Sequence, residues 1–309
     1  HAREGERQTK ARAAHEHAQP HDLQQAGQRK RPAHRLRGHP SPIRAWFQRK
    51  AVEQRGNQAD VEDDRRGGGG GKARKGVKHR CDPRRARLPQ ALQEAGYRTA
   101  VFGKWHLRCD PVGFDDWDVL PGQGHYYNPD FRNAEGRRRV PGYVTEIITA
   151  RSRDWLRARA AEKRPFFLMM QHKAPHRNWM PGPTELELHR DGDLPVPATL
   201  FDEGENRTVA FGRSEMSIAR HLFWHYDLKV PTRYHEGLPG PVMKGRWARG
   251  EWDRMNDAQR ATFTEAYREE NEALARVQPR WRSLVHWKYQ RYVKDYLRCV
   301  AGVDRSVGV

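Results

Sequence analysis

A lysine and a histidine stand two residues apart in the segment 103–107, whose sequence is Gly-Lys-Trp-His-Leu. In extended backbone, side chains two residues apart point to the same side, so Lys104 and His106 would face one ligand together. An ammonium and an imidazole supply a fixed positive charge and a titratable hydrogen-bond donor, which suits an anionic ester. Taken alone, such a pair is more often part of a solvated loop.

A second cationic segment spans 172–177, with the sequence His-Lys-Ala-Pro-His-Arg. Four imidazole or cationic groups within six residues favour a loop that binds an anion through charge-assisted hydrogen bonds. Without further context, the better interpretation would be a basic surface turn. His176 is the candidate contact residue of this segment.

Each cationic segment follows a stretch that predicts a β-strand. Residues 97–102 are rich in β-forming side chains and end at Gly103, while 166–170 read Phe-Phe-Leu-Met-Met. A continuous apolar run of this length is typical of a strand buried on both faces of a parallel sheet. Because α/β folds place ligands beyond the carboxyl ends of their strands, both cationic segments lie where a site is expected.

Helical patterns alternate with these strands, which predicts an α/β fold. The segment 108–142 is rich in Gly, Pro, Asp and aromatic residues, and we expect it to be a long loop that could carry a site. The sequence predicts helices at 88–95, 143–161, near 215–225 and at 284–300.

Residues 1–87 differ in composition from the rest of the chain. They hold 23 of the 58 Lys and Arg residues and 10 of the 39 Asp and Glu residues, so most of the net charge of +19 lies there. Eight large apolar side chains in 87 residues are too few for a packed core. We therefore expect two regions: a disordered or out-of-frame segment at 1–87, and a folded domain at 88–309.

Two other classes of function are consistent with parts of the sequence. The charge of residues 1–87 could bind nucleic acid or another polyanion, but two aromatic residues give no stacking platform, so we do not expect nucleic acid as a partner. A zinc site could be drawn from His79, Cys81, His106 and Cys109, although their spacing is not a standard zinc pattern. No run of about 18 apolar residues predicts a membrane span.

Taken together and in this order, the motifs are much more specific than each alone. From Leu88 onward the chain resembles the type I sulfatase family. The segments that carry the resemblance are 88–106 (Leu-Pro-x-x-Leu-x-x-Ala-Gly-Tyr-x-Thr-Ala-x-x-Gly-Lys-Trp-His), 113–117 (Gly-Phe-Asp-Asp-Trp), 143–145 (Tyr-Val-Thr), 165–168 (Pro-Phe-Phe-Leu) and 174–176 (Ala-Pro-His). The segment 124–129 (Gly-His-Tyr-Tyr-Asn-Pro) resembles the N-acetylglucosamine-6-sulfatase-like branch.

The resemblance implies an alkaline-phosphatase-like α/β sandwich with a largely parallel central sheet. It implies that Lys104, His106 and His176 contact the sulfate group of a sulfated carbohydrate or other sulfate ester. It also implies a calcium ion and a nucleophilic formylglycine made from a cysteine in a Cys-x-Pro-Ser-Arg motif. For the family, a periplasmic or secreted location is typical.

The sequence departs from the family pattern where the nucleophile and the metal ligands would be. Cys81 is followed by Asp-Pro-Arg-Arg and lies too close to Lys104, so we do not assign it as the nucleophile. The pair Asp63 and Asp64 follows no apolar strand, and we place no metal ligands. We therefore expect an incomplete sulfatase domain, truncated and without turnover, with exposed sheet edges and low stability.

Overall fold

The computed structural model of the protein describes residues 87–107, 109–202, 204, 207–214 and 216–309. The expectations for the segment 1–87, apart from its last residue, lie outside these ranges, as do those for Cys81 and the pair Asp63 and Asp64. In the part of the chain that is described, no helix has both the length and the apolar character needed to cross a bilayer.

The described residues contain a single five-stranded sheet with the order β4–β3–β2–β1–β5. Its strands are β1 (Arg98–Trp105), β2 (Asp116–Pro121), β3 (Asp130–Asn133), β4 (Gly136–Arg139) and β5 (Phe166–Gln171). Strand β1 pairs in parallel with both β2 and β5, while β3 pairs antiparallel with β2 and with β4. The α/β class is therefore confirmed, with parallel pairing around β1 and antiparallel strands extending the sheet.

The prediction of a long loop at 108–142 is wrong, because three of the five strands lie in it. Strand β2 begins with Asp116, contains Asp118 and ends in Pro121, a composition that usually indicates loops. Its Val119 and Leu120 are nevertheless fully buried, and pairing with β1 outweighs the weak local preference. Strand β4, Gly-Arg-Arg-Arg, is exposed along its whole length and lacks the apolar alternation by which strands are found.

The helices and their bounds are α1 (Leu88–Glu94), α2 (Val144–Ala158), α3 (Val209–Gly212), α4 (Ile218–His221), α5 (Thr232–His235), α6 (Arg246–Arg249), α7 (Asp257–Val277) and α8 (Trp281–Val307). The predicted helices at 88–95, 143–161 and 284–300 correspond to α1, α2 and α8. The helix predicted near 215–225 is reduced to the single turn of α4. Helix α7 is missing from the predictions, although a capping box of Asn256 and Gln259 marks its start.

The sheet packs its two faces differently. Side chains on one face of β1 and β2, among them Phe102 and Leu120, share a core with Ile148 and Trp155 of α2 and with Cys299 of α8. Alternate positions on the other face form a smaller cluster around Val101, Phe114 and Val119. The sheet is thus anchored from one side by the longest helices.

Gly103 permits the close approach of the two parallel strands that precede the cationic segments. Its φ is +108°, and a Cβ at this position would lie 1.9 Å from the backbone oxygen of Gln171 on β5. Any other residue would force the strands apart at their carboxyl ends. The close approach of these two strands therefore explains why the 103–107 motif begins with a glycine.

Candidate anion-binding site

The two cationic segments meet at one end of the sheet. Gly103 of β1 is in register with Gln171 of β5, and the strands are parallel, so the chain leaves both in the same direction. Burial lowers the pKa of the His176 imidazole, and the positive charges of Lys104, Lys173 and His106 lower it further. Lys104, Lys173 and His106 are therefore close enough to His176 for their charges to act on it. The structure brings together the three residues singled out in the sequence and adds Lys173.

Gln123 connects the two segments, and sequence reasoning did not assign it. It lies in the turn after β2, between Gly122 and Gly124, which both have positive φ. Its amide Nε2 lies 3.3 Å from Nδ1 of His106, and its backbone oxygen accepts a hydrogen bond from Lys173 Nζ at 3.3 Å. No family motif quoted from the sequence pointed to this turn.

The cluster of Lys104, His106, Lys173 and His176 lacks a close counter-ion. Among the residues that the structure describes, no carboxylate oxygen lies within 4.0 Å of any of its nitrogens. Burial lowers the pKa of Lys104, and it lowers that of Lys173 to about 8 despite the opposing charge of Glu251. Lys173 is buried without a carboxylate within 4.0 Å among the described residues, which is costly, and an anion placed beside it would be stabilised.

Two members of the segment 172–177 have other hydrogen-bond partners. His172 lies 3.1 Å from the hydroxyl of Ser306 on α8, and burial lowers the pKa of its imidazole to about 4. Arg177 donates to both carboxylate oxygens of Asp227, at 2.7 and 2.5 Å. His172 is therefore neutral at physiological pH, and the charge of Arg177 is already balanced.

Buried tyrosines fix the backbone that carries His176. The hydroxyl of Tyr126 donates to the carbonyl of His176 at 2.6 Å. Two more tyrosine hydroxyls reach the carbonyls at positions 180 and 181: Tyr143 donates to Met180 at 2.9 Å, and Tyr127 donates to Pro181 at 2.7 Å. Two of these tyrosines belong to the 124–129 motif, so that motif has a positioning role in this chain.

A buried ion cluster holds the same loop from the other side. Lys229 Nζ donates to the carbonyls of Asn178 and Trp179 at 2.8 and 2.9 Å, and lies 2.9 Å from the carboxylate of Asp295 on α8. The same carboxylate accepts from Arg298 at 3.0 Å and from the Tyr267 hydroxyl at 2.6 Å. In this cluster each buried charge faces an opposite one.

The described residues do not provide a metal site or an activated cysteine. In the ranges that the structure covers, no group of three or more His, Cys, Asp and Glu side chains could hold a metal ion. The residues present therefore do not fit the calcium that the resemblance implies, and no chemical step is derived through it. Burial raises the pKa of the Cys299 thiol to about 12, so it is not a nucleophile. His79 and Cys81, the first two residues of the alternative zinc site, lie outside the described residues.

Comparison with known proteins supplies the family. A model of the family described as Sulfatase matches residues 82–308. An N-acetylglucosamine-6-O-sulfatase from Bacteroides thetaiotaomicron is 39% identical over 227 residues, which covers 72% of this chain and 39% of that protein. An N-acetylgalactosamine-6-sulfatase from Mus musculus is 30% identical over 114 residues, covering 29% of this chain and 22% of that protein.

A solved structure agrees with these relatives. It is described as a complex with its substrate, D-glucosamine-2-N,6-O-disulfate, and aligns with a TM-score of 0.64 at 38% identity. The alignment covers 71% of this chain and 44% of that one. The chain thus spans less than half the length of each of these proteins.

Proposed function

Because the chain belongs to the sulfatase family, we propose that it carries one wall of a sulfuric ester hydrolase active site. In this proposal Lys104, His106 and His176 bind the sulfate group of the substrate, and Lys173 adds a second ammonium group. The observation that carries the proposal is the absence of a carboxylate within 4.0 Å of these groups in the described part of the chain. A sulfate group would balance the charge through charge-assisted hydrogen bonds.

These groups would act on the reaction by stabilising charge. Hydrolysis of a sulfate ester develops negative charge on the sulfate and on the leaving oxygen, and preorganised cations stabilise that charge. The tyrosine and lysine contacts to the loop carbonyls support this role because they hold His176 in place before substrate arrives. Burial and the neighbouring cations lower the pKa of His176, and its Nδ1 donates to the carbonyl of Arg177, so Nε2 is the ring nitrogen left to face the sulfate group.

The substrate class in the proposal is a sulfated amino sugar. The relative from Bacteroides thetaiotaomicron is named for N-acetylglucosamine-6-sulfate, and the solved structure is a complex with a disulfated glucosamine. Both align with this chain over more than two thirds of its length. We propose a glucosamine that carries sulfate on O6 as the ligand.

The proposal assigns neither calcium nor formylglycine to residues of this chain. Cys81 lies outside the described residues, and its sequence context departs from the family motif. We therefore propose that this chain binds the sulfated sugar and releases sulfate slowly or not at all. Binding, rather than turnover, is the primary readout of the test.

Isothermal titration calorimetry of the 309-residue chain with glucosamine-6-sulfate tests the proposal, with unsulfated glucosamine as the ligand control. We expect His176→Gln to weaken binding of the sulfated sugar about tenfold, the loss expected for one hydrogen bond to a charged group. A matched control is His189→Gln, which replaces an exposed histidine elsewhere in the chain.

Binding of glucosamine-6-sulfate that equals that of glucosamine would overturn the proposal, and so would equal affinities of the two histidine variants. Sulfate release from the same sugar, measured in parallel with calcium added, decides whether the chain is inactive. Turnover at the rate of an intact sulfatase would refute inactivity while leaving the binding proposal in place.

A further inference from the structure

A second concave surface carries positive charge at the beginning of α8. We call it the basic groove, and it has a volume of about 740 Å³. Its cations are Arg220, Arg280, Arg282 and Lys288, and no aspartate or glutamate lines it. None of these four is within 4.0 Å of a carboxylate in the described part of the chain. The groove therefore has a positive potential that no neighbouring acid balances.

Lys288 makes the groove more than a patch of surface arginines. Its side chain is buried, with 1% of its area exposed, and burial lowers its pKa to about 8. Its ammonium donates to two backbone carbonyls, those of Ala219 at 3.0 Å and Pro239 at 3.3 Å. The ammonium also lies 4.7 Å from the centroid of the Trp224 ring, so it contributes positive charge to the groove rather than a free hydrogen-bond donor. A buried cation that meets carbonyls but no carboxylate is stabilised by an incoming anion.

The floor of the groove is apolar and its rim presents an aromatic ring. Leu238, Pro239 and Gly240 contribute to the floor, and a Cβ at Gly240 would lie 3.1 Å from Lys288 Nζ. Because that position is a glycine, the backbone of the floor can pack closely against both the Trp224 indole and the Lys288 ammonium. Trp281 lies at the rim with 88% of its area exposed, more than any other large hydrophobic residue in the described ranges.

These observations define the ligand chemically. Arginine guanidinium groups recognise sulfate and carboxylate groups with two parallel hydrogen bonds. An exposed indole beside an apolar floor offers a flat surface for the CH face of a sugar ring, as in other concave ligand sites. A nucleic acid would need a row of aromatic rings along a cationic track, and one exposed indole does not provide it.

We infer that the basic groove is a second carbohydrate site, which binds an acidic saccharide without acting on it. The site is formed by different residues from those of the proposed sulfate site, and the choice of a saccharide over other anions rests on the proposed function. In a substrate that is a longer sulfated chain, the groove would hold a sugar unit remote from the one being processed. The expected consequence is tighter binding of long chains than of single sugars, since two linked contacts add their effects.

The test uses the 309-residue chain with Lys104→Met and His176→Gln, so that any remaining binding reports the groove. The probe is a sulfated heparin tetrasaccharide, and a neutral tetrasaccharide of N-acetylglucosamine and a single-stranded DNA 20-mer serve as comparison ligands. We expect this background to bind the sulfated tetrasaccharide in isothermal titration calorimetry. Adding Arg280→Gln and Arg282→Gln should weaken that binding about tenfold or more.

A separate Trp281→Ala variant in the same background should weaken binding by several-fold without changing net charge. The charge-matched control replaces Arg157 and Lys163 by glutamine, because both are exposed and neither forms an ion pair among the described residues. The side chains altered within this background are all exposed, so circular dichroism should show unchanged folding.

Equal affinities of the groove variant and the charge-matched control would overturn the inference, because general charge would then explain binding. Tighter binding of the DNA 20-mer, lost in the same groove variant, would replace the saccharide by a nucleic acid and also overturn it. Equal binding of the neutral N-acetylglucosamine tetrasaccharide would remove the requirement for an anion and overturn it as well. A failure of glucosamine-6-sulfate binding in the native chain alone would count against the proposed function and leave the groove unaffected.

Discussion

Two groups of buried or half-buried charges lie on opposite sides of the loop that carries His176, and their electrostatics differ. On one side, Lys229 and Arg298 each lie within 3.0 Å of the Asp295 carboxylate, so each cation of this balanced cluster has a counter-ion. On the other side, Lys104 and Lys173 have no carboxylate within 4.0 Å among the described residues. A balanced cluster stabilises the fold, while an unbalanced one is stabilised by a ligand of opposite charge. The contrast separates the structural charges of this protein from the functional ones.

The largest effect is expected in the balanced cluster. Asp295→Ala leaves Lys229 and Arg298 buried without their counter-ion, and we expect a loss of about 3–5 kcal/mol in the free energy of unfolding. Urea denaturation followed by circular dichroism measures it. The control is Glu187→Ala, which removes an exposed pair with Arg190 and should cost about 0–1 kcal/mol. Similar losses in both variants would mean that the buried cluster contributes no special stability.

The same kind of substitution should have a different consequence in the unbalanced cluster. Lys104→Met removes a charge that burial and repulsion already destabilise, so we expect unchanged or slightly higher stability against urea. Sulfate affinity, measured by calorimetry, should fall by about 1.5–3 kcal/mol, as for a lost hydrogen bond between charged groups. The matched control, Lys163→Met, replaces an exposed lysine and should change neither quantity. A clear loss of stability in Lys104→Met alone would make Lys104 a structural residue.

A pH experiment tests whether the buried imidazole of His172 makes the stability of the fold depend on pH. Folding lowers the pKa of His172 from about 6.5 to about 4, so the unfolded chain takes up a proton that the folded chain refuses. Stability is therefore fully present above about pH 6.5 and is lost as the pH falls towards 4. We expect His172→Gln to reduce that loss by about 1–3 kcal/mol, a range discounted for partial exposure of the ring.

Urea titrations of the native chain and His172→Gln between pH 7.5 and 4.5 measure the difference. Parallel curves for the two proteins would place the pH dependence elsewhere, for example at His225, whose pKa is also lowered by burial.

The smallest effect is stabilisation by sulfate itself. Sulfate at a concentration equal to its dissociation constant adds about 0.4 kcal/mol, which corresponds to a rise in melting temperature of about 1 °C. Chloride at matched ionic strength controls for screening. The rise should disappear in Lys104→Met, whereas a rise that persists there would indicate binding at another site, with the basic groove as the first candidate.

The amino-acid sequence predicts which candidate site residues lie together better than it predicts the helices and strands around them. Strands β1 and β5 carry strong local signals, and the residues at and beyond their carboxyl ends are adjacent because parallel strands end at one edge. Lys104, His106 and His176 could therefore be placed together from the amino-acid sequence. Their binding of sulfate stays a prediction.

Other parts could not be predicted for physical reasons. Helix α7 buries Phe263, Tyr267 and Leu274 but is otherwise rich in charged residues. Its apolar face is therefore narrow, and the helical period of apolar residues is hard to recognise in the sequence. Helix α8 buries charged side chains that sequence patterns assign to solvent, because their partners lie far away in the chain. Lys229, for example, is 66 positions from Asp295, and no local period connects them.

The most direct test of the central claim is the titration of the His176 imidazole by NMR, with and without saturating sulfate. His176→Gln assigns the resonance. Without sulfate, the pKa should lie below the ordinary value, because of burial and the neighbouring cations. If Lys104, His106, Lys173 and His176 bind one sulfate group, the anion must raise that pKa, by about one unit for a contact worth about 1.4 kcal/mol. A pKa that stays the same when sulfate saturates the protein would contradict the account.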